Sequence, residues 1–111
     1  MNVRFEEHGT LCVVDLAGEL VGDSVDQVKR ACMERVQTGV TDLILDLSET
    51  VLIDSMGLET LLDLADATSH KGGRCVIAAP DTGVRSVLEI TRLHERMEIH
   101  AGVEQAARLI R

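Results

Sequence analysis

The chain has 111 residues and a formal net charge of −8, from 11 basic and 19 acidic side chains. This length suits one domain with one core, and an apolar content of 45% excludes a largely disordered chain. Nucleic acids and anionic membrane surfaces are excluded as expected ligands, because both require a basic surface.

The apolar runs are too short to cross a bilayer, and the first residues lack the apolar stretch of a secretory signal. Three cysteines, Cys12, Cys32 and Cys75, lie within apolar patterns without the paired spacing of a disulfide or zinc site. We therefore expect a cytoplasmic protein with buried free thiols. We expect no metal ion, no other cofactor and no direct membrane insertion.

The first predicted elements form a β-hairpin. Residues 3–7 and 11–17 have the composition of two strands, and Gly9 and Thr10 between them predict the turn. A loop bracketed by Gly18 and Gly22 then follows.

A helix is predicted next. Ser24 and, three residues later, Gln27 form the pattern of a capping box, which places the helix start at Ser24. Gly39 lies where a left-handed C-terminal cap is expected. The apolar residues at helical spacing are Val25, Val28, Cys32 and Val36.

The remainder of the chain alternates short apolar runs with amphipathic stretches. Residues 43–47 and 75–79 are typical of strands that are covered on both faces, and residues 97–99 are a further strand candidate. Three helices are predicted from apolar stripes: Leu58, Leu61, Leu62 and Ala65; Val84, Val87, Leu88 and Thr91; and Val103, Ala106, Ala107 and Ile110.

The predicted order is therefore β-β-α-β-α-β-α-β-α. Strands that alternate with crossover helices require parallel pairing with right-handed connections. We predict an α/β fold, with one domain over residues 1–111 and a mixed, mostly parallel sheet flanked by helices.

Residues 46–58 link a predicted central strand to the second helix, at the sheet edge where ligands and partners of open α/β sheets bind. Asp54 or Ser55 is the expected N-cap, which places Ser55 at the positive end of the helix dipole. Residues 54–57 would be presented to solvent, with Gly57 leaving room for another surface. A purely structural role, in which Ser55 caps the helix and Gly57 relieves crowding, explains the same residues without a binding function.

Residues 46–58 resemble the signature of the STAS domain, the fold of anti-sigma factor antagonists and of the cytoplasmic tails of sulfate transporters. The family pattern is approximately D-x-S-x-x-x-x-I-D-S-x-G-L, and the segment matches it without a gap. Residues 18–20 and 88–106 resemble further parts of the pattern. The resemblance covers essentially the whole chain and implies a STAS-like fold.

The resemblance also implies a function. In similar antagonists, the serine after the aspartate, here Ser55, is phosphorylated by the anti-sigma factor, which is a serine kinase. The unmodified antagonist binds the anti-sigma factor and frees a sigma factor, whereas the phosphorylated form does not bind. The implied partner surface consists of Asp54, Ser55, Met56, Gly57 and Leu58, with Ser48, Glu49 and Thr50 at its rim.

Two positions depart from the family pattern. Val21 and Gly22 follow residues 18–20, where many relatives have an aspartate, and Met56 replaces a small residue. These departures keep a second function open, that of an adaptor that is not phosphorylated. Such an adaptor would be a stressosome-like scaffold or a soluble cytoplasmic subunit of a transporter. The oligomeric state is left open.

An enzymatic function is the third alternative, with Ser55 as a nucleophile. The surrounding sequence, Ile-Asp-Ser-Met-Gly, lacks the G-x-S-x-G elbow of serine hydrolases. Residues 94–98 lack the second histidine of a zinc protease motif. We therefore expect a protein that is not an enzyme. The candidate bases for Ser55 would be His8, His70, His94 and His100.

Overall fold

The computed structural model describes residues 1–110, so Arg111, the last residue of the predicted domain, lies outside the described part. Its elements are β1 (Asn2–His8), β2 (Leu11–Leu20), α1 (Asp23–Gln37), β3 (Asp42–Asp46), β4 (Thr50–Ile53), α2 (Ser55–His70), β5 (Cys75–Ala78), α3 (Thr82–Ile90), a 3-10 turn (Leu93–Glu95), β6 (Ile99–His100) and α4 (Val103–Ile110). The predicted α/β fold class is confirmed. The structure contains one strand that the predicted order lacks, β4.

The sheet has the order β1-β2-β3-β5-β6, in which β1 is antiparallel to β2 and the other neighbours are parallel. The strand β2 is the longest and changes partner along its length. Its first part, from Leu11 to Asp15, pairs with β3, and its last part, from Gly18 to Leu20, pairs with β4. A register shift between Gly18 and Glu19 accompanies the change.

Helices cover both faces of the sheet unequally. The larger core lies between the sheet and α1, α2 and α3, and the smaller core lies under α4. The side chains of β3 and β5 enter the two cores alternately, which explains their continuous apolar runs. In β3, for example, Leu43 and Leu45 belong to the larger core and Ile44 to the smaller one.

The helix starts differ in how they are capped. Asp81 caps α3 by accepting a hydrogen bond from the N–H of Val84 at 2.8 Å. The predicted capping box of α1 is wrong. The N-cap is Gly22, at φ 54°, and α1 begins at Asp23, so Ser24 already lies in the first turn. The Ser24 hydroxyl lies 2.7 Å from the carbonyl oxygen of Val21, in the preceding loop, and 2.8 Å from that of Glu19, in β2.

Two predictions in the C-terminal half are also wrong. Thr91 does not face inward; it is the exposed C-cap of α3, and its hydroxyl donates to the carbonyl of Val87 at 2.7 Å. The last strand starts at Ile99 rather than Met97, because only Ile99 and His100 pair with β5. None of the helices of residues 1–110 is long and apolar enough to span a bilayer.

Candidate functional site

The segment before α2 is an extended strand, β4, held along the last part of β2. The N–H of Gly18 donates to the carbonyl of Glu49 at 3.0 Å, and the N–H of Asp54 donates to the carbonyl of Leu20 at 3.3 Å. Backbone bonds therefore fix both ends of β4, and the segment that was expected to be a connection is part of the sheet.

β4 is buried at its two end residues and exposed at the two residues between them. Thr50 is fully buried, and its hydroxyl donates to the carbonyl of Leu16 at 2.6 Å. The placement of Thr50 at the rim of a surface is therefore wrong, because this bond holds its side chain inside the sheet. Val51 and Leu52 are instead 64% and 50% exposed. The exposure of these two residues was not expected from the sequence, because an apolar run beside a strand is typical of the interior.

The Asp54 carboxylate caps the start of α2. Its Oδ1 accepts the N–H of Gly57 at 2.8 Å, and its Oδ2 accepts the N–H of Gly22 at 3.0 Å. The structure thus assigns the N-cap to Asp54 and not to Ser55. The backbone N–H groups of Gly57 and Gly22 hold the pKa of the Asp54 carboxyl below its usual value.

Ser55 is the first residue of α2, and it is exposed. Because Asp54 performs the capping, the Ser55 hydroxyl is not needed for it, and no partner within residues 1–110 bonds to that hydroxyl. The hydroxyl lies at the end of the helix where the dipole is positive. A hydroxyl without a hydrogen bond of its own can be covalently modified by another molecule without the loss of any hydrogen bond that stabilises the fold.

Gly57 has the structural role that was the alternative to partner binding, which is to relieve crowding. It is buried, and a Cβ at this position would lie 2.6 Å from the carbonyl oxygen of Leu20 and 2.9 Å from Cγ2 of Ile53. Glycine is therefore required by the close approach of α2 to β2 and β4. The expectation that Gly57 is presented to a partner is wrong for this reason. Leu58, the next residue, is half-buried and packs against the larger core.

An apolar patch lies within four positions of Ser55 in the chain. We define it as Val51, Leu52 and Met56, and Met56 is 48% exposed. Five large apolar side chains are exposed within residues 1–110, and these are three of them. Exposed apolar side chains that adjoin one another are typical of surfaces that another molecule covers. The acidic or polar neighbours that are exposed are Ser48, Glu49 and Glu59, so the predicted rim positions 48 and 49 are accessible.

The histidines bond to groups other than Ser55. His8 lies 2.9 Å from a carboxylate oxygen of Glu6, and His100 lies 3.1 Å from one of Glu98. The ring of His70 contacts a main-chain carbonyl of its own helix, α2, and the ring of His94 contacts the carbonyl of Leu88 in α3. A serine nucleophile needs a base within hydrogen-bond reach, and none of these four contacts provides one.

The model of the STAS domain matches residues 2–106. The chain belongs to the STAS domain family. The match includes β4, Asp54 and Ser55, and it confirms the family that residues 46–58 resemble.

Individual relatives agree with this assignment. The anti-sigma F factor antagonist of Paenibacillus polymyxa is 26% identical over 101 residues, which are 90% of this chain and 86% of the relative. The unphosphorylated anti-sigma factor antagonist SpoIIAA has a TM-score of 0.84 at 24% identity, covering 96% of this chain and 93% of its own. Phosphorylated SpoIIAA of Bacillus has a TM-score of 0.78 at 24% identity, covering 99% and 100%. This STAS domain thus shares the SpoIIAA fold.

Proposed function

We propose that this STAS protein is an anti-sigma factor antagonist whose binding is switched off by phosphorylation of Ser55. The observation that carries the proposal is the exposed hydroxyl of Ser55 at the start of α2, beside the apolar patch. The names of the Paenibacillus relative and of SpoIIAA support the antagonist function, and the phosphorylated form of SpoIIAA supports the modification.

The proposed partner is an anti-sigma factor that is also a serine kinase. In the unmodified state, it would cover the apolar patch and the neighbouring Ser55 hydroxyl, and a sigma factor would be released. Residues 1–55 carry 4 basic and 11 acidic side chains, which favours a partner with a cationic face. The protein itself would supply no catalytic group and would act in the cytoplasm.

The covalent step belongs to the partner. The γ-phosphoryl group of ATP would be transferred to Oγ of Ser55, with the hydroxyl proton released and ADP as the leaving product. A phosphoserine adds about −1.5 to −2 charges at neutral pH. At the first position of α2 this charge is compatible with the fold, because the helix dipole favours anions there.

The same charge would oppose binding. The phosphate would stand next to the carboxylate of Asp54 and against the apolar side chains of Leu52 and Met56, which a partner must desolvate. Burial of an unpaired charge in an apolar contact is costly. The fold would therefore persist while the interface is lost, as a reversible switch requires.

The test uses the full chain and its candidate anti-sigma factor with ATP. We expect mass spectrometry to locate phosphate on Ser55 in the wild type and on no residue of Ser55→Ala. Ser48→Ala is the matched control, because Ser48 is an exposed serine of the same segment, and it should be phosphorylated like the wild type.

Binding is measured in the same system by calorimetry. Ser55→Ala should bind like the unmodified wild type, and Ser55→Asp should bind at least about tenfold more weakly, a loss of about 1.4 kcal/mol. Both variants should keep the melting temperature of the wild type. Equal affinities for Ser55→Ala and Ser55→Asp, with no phosphate on Ser55, would contradict the switch and favour the unmodified adaptor.

A further inference from the structure

β1 is an edge strand. It pairs with β2 along all seven of its residues and, within residues 1–110, with no other strand. The register from Asn2 to His8 is continuous, without a bulge, and the strand contains no proline. Such an edge has a row of backbone N–H and C=O groups that a further strand can bond.

The pairing of β2 identifies which residues of β1 carry those groups. The N–H of Gly18 and the C=O of Leu20 bond to the segment that contains β4, so even-numbered residues of β2 direct their backbone groups away from β1. Backbone groups alternate between the two sides of a strand. The odd-numbered residues of β2 therefore bond to β1, where their partners have even numbers. The residues of β1 with outward backbone groups are Val3, Phe5 and Glu7.

We propose that β1 pairs in antiparallel fashion with β1 of a second copy of this chain, around a two-fold axis at Phe5. Phe5 then opposes Phe5 of the second copy, and Val3 opposes Glu7. These are the residues with outward N–H and C=O groups, so each of them donates one hydrogen bond and accepts one across the axis. The alternation of outward and inward backbone groups along β1 thus permits this register.

The charges of β1 favour the same register. Arg4 opposes Glu6 of the second copy in a non-hydrogen-bonded pair, where side chains approach most closely. The two-fold axis repeats this contact. The side chains of Arg4 and Glu6 are 77% and 71% exposed, so neither has to leave the core. Arg4 already pairs with Asp15 at 3.0 Å and would then lie between two carboxylates.

Registers shifted by two residues use the same outward backbone groups but place like charges opposite each other. A shift by two residues in one direction places Arg4 opposite Arg4 of the second copy. The opposite shift places Glu6 opposite Glu6. Like charges in directly opposed positions are destabilising. Charged edge residues usually prevent association, whereas here their order permits one self-pairing and rejects its neighbours.

The other face of β1 contributes an aromatic contact. Phe5 is the sole aromatic residue of the chain and is half-buried. The guanidinium of Arg35 lies 3.9 Å from its ring centroid, and Arg35 also pairs with Glu7. In the proposed pair, the two Phe5 rings meet at the axis, where opposed aromatic side chains on adjacent strands add stability.

The proposed contact leaves the surface around Ser55 accessible. Met1 lies against Gly18 on the β1 side of β2, since a Cβ on Gly18 would be 3.4 Å from Cα of Met1. β4 pairs with the opposite side of β2. Self-pairing through β1 therefore does not depend on the proposed function. A single strand buries little area, so we expect a weak, concentration-dependent dimer.

Sedimentation velocity of the full chain, from micromolar to millimolar concentrations, tests the proposal. The wild type should shift from monomer to dimer, and Arg4→Glu and Glu6→Arg should each raise the dissociation constant at least about tenfold. An equimolar mixture of the two variants should dimerise, because each reversed charge meets its complement. The double variant Arg4→Glu/Glu6→Arg should dimerise for the same reason.

Controls separate this effect from net charge and from misfolding. Arg30→Glu and Glu34→Arg make the same charge changes at exposed positions of α1 and should leave the dimer unchanged. Arg4→Gln removes the ion pair without a reversal and is used if Arg4→Glu melts early. A wild type that stays monomeric at millimolar concentration overturns the proposal. So does a dimer that persists in both single reversals.

Discussion

The N–H of Gly22 donates a hydrogen bond to Oδ2 of Asp54, 3.0 Å away and 32 positions later in the chain. Gly22 is the N-cap of α1, and Asp54 is the N-cap of α2. One carboxylate therefore ties the starts of two helices together. The position of Ser55, the next residue, depends on this tertiary contact as well as on its own helix.

Removal of the Asp54 carboxylate should destabilise the fold. In Asp54→Ala, the N–H groups of Gly22 and Gly57 lose their acceptor, so we expect a melting temperature several degrees below that of the wild type. Ser55→Ala is the control, because no group within residues 1–110 depends on the Ser55 hydroxyl. Differential scanning calorimetry measures both melting temperatures. Equal melting temperatures for the two variants would show that the Asp54 carboxylate does not stabilise the starts of α1 and α2.

The effect of Asp54 should depend on pH. Its pKa in the folded protein lies below the ordinary value of 3.8, because backbone N–H groups stabilise the charged form. The stabilisation is then fully present above pH 3.8 and is lost as the pH falls through the lower, folded value. The difference in melting temperature between wild type and Asp54→Ala should narrow in acid. A difference that stays constant would contradict the lowered pKa.

Substitution of Gly57 should cost stability rather than affect binding alone. A Cβ in Gly57→Ala would lie 2.6 Å from the carbonyl oxygen of Leu20, and overpacking of this kind costs about 1–3 kcal/mol. Gly83→Ala, near the start of α3, is the matched control. Its nearest contact would be Asp81 Oδ1 at 3.6 Å, so helix propensity should raise stability by up to about 1 kcal/mol.

Urea unfolding at neutral pH measures both glycine variants. The expected result is opposite signs: a lower midpoint for Gly57→Ala and an equal or higher one for Gly83→Ala. If both variants unfold at the wild-type midpoint, α2 moves away from β2 at no cost, and the packing requirement at Gly57 is refuted.

The apolar patch should carry much of the affinity for the proposed anti-sigma factor. Leu52→Gln and Met56→Gln should each weaken binding at least about tenfold, a loss above 1 kcal/mol that is typical of interface hot spots. Leu109→Gln is the control, because Leu109 is 54% exposed on α4, which covers the opposite face of the sheet. Calorimetry measures the affinities, and equal losses for all three variants would argue against a local patch.

The buried thiols should make the fold sensitive to alkali. Burial raises the pKa of Cys12, Cys32 and Cys75 above 9.0, and that of Cys32 to about 12. Between pH 9.0 and about 12, the Cys32 thiol loses its proton in the unfolded chain but keeps it in the folded chain. The free energy of unfolding therefore falls as the pH rises through this range. The chain contains no tyrosine whose titration would overlap.

Cys32→Ala isolates this contribution. The variant is less stable by a constant amount from the lost packing, but its free energy of unfolding should fall less steeply above pH 9.0. Chemical denaturation at a series of pH values gives the two slopes. Parallel slopes for wild type and variant would show that Cys32 ionises as readily in the folded chain as in the unfolded one.

Much of the fold follows from local patterns. The runs at residues 43–47 and 75–79 had to be covered on both faces, and the structure places them as the inner strands β3 and β5. The hairpin follows from Gly9, whose φ of 65° is favourable for glycine in the turn. The helix stripes follow from a period of 3.6 residues.

The missing strand has no comparable local signal. β4 is four residues long, and both Val51 and Leu52 in its middle are exposed, so its side chains do not alternate. It exists because the last part of β2 extends beyond β3 and offers unpaired backbone groups. The same pairing buries Thr50, which the sequence motif had suggested at the rim of the partner surface.

By itself, the sequence determined the fold class, the family and the serine at the start of α2, because periodicity, capping preference and a fixed motif are properties of neighbouring residues. Tertiary structure decided which of those residues are accessible. It turned Thr50 and Gly57 inward, exposed Val51 and Leu52, and tied Asp54 to Gly22. Each outcome depends on contacts between segments about 30 positions apart, and the distance between such segments is not encoded in the spacing of either one.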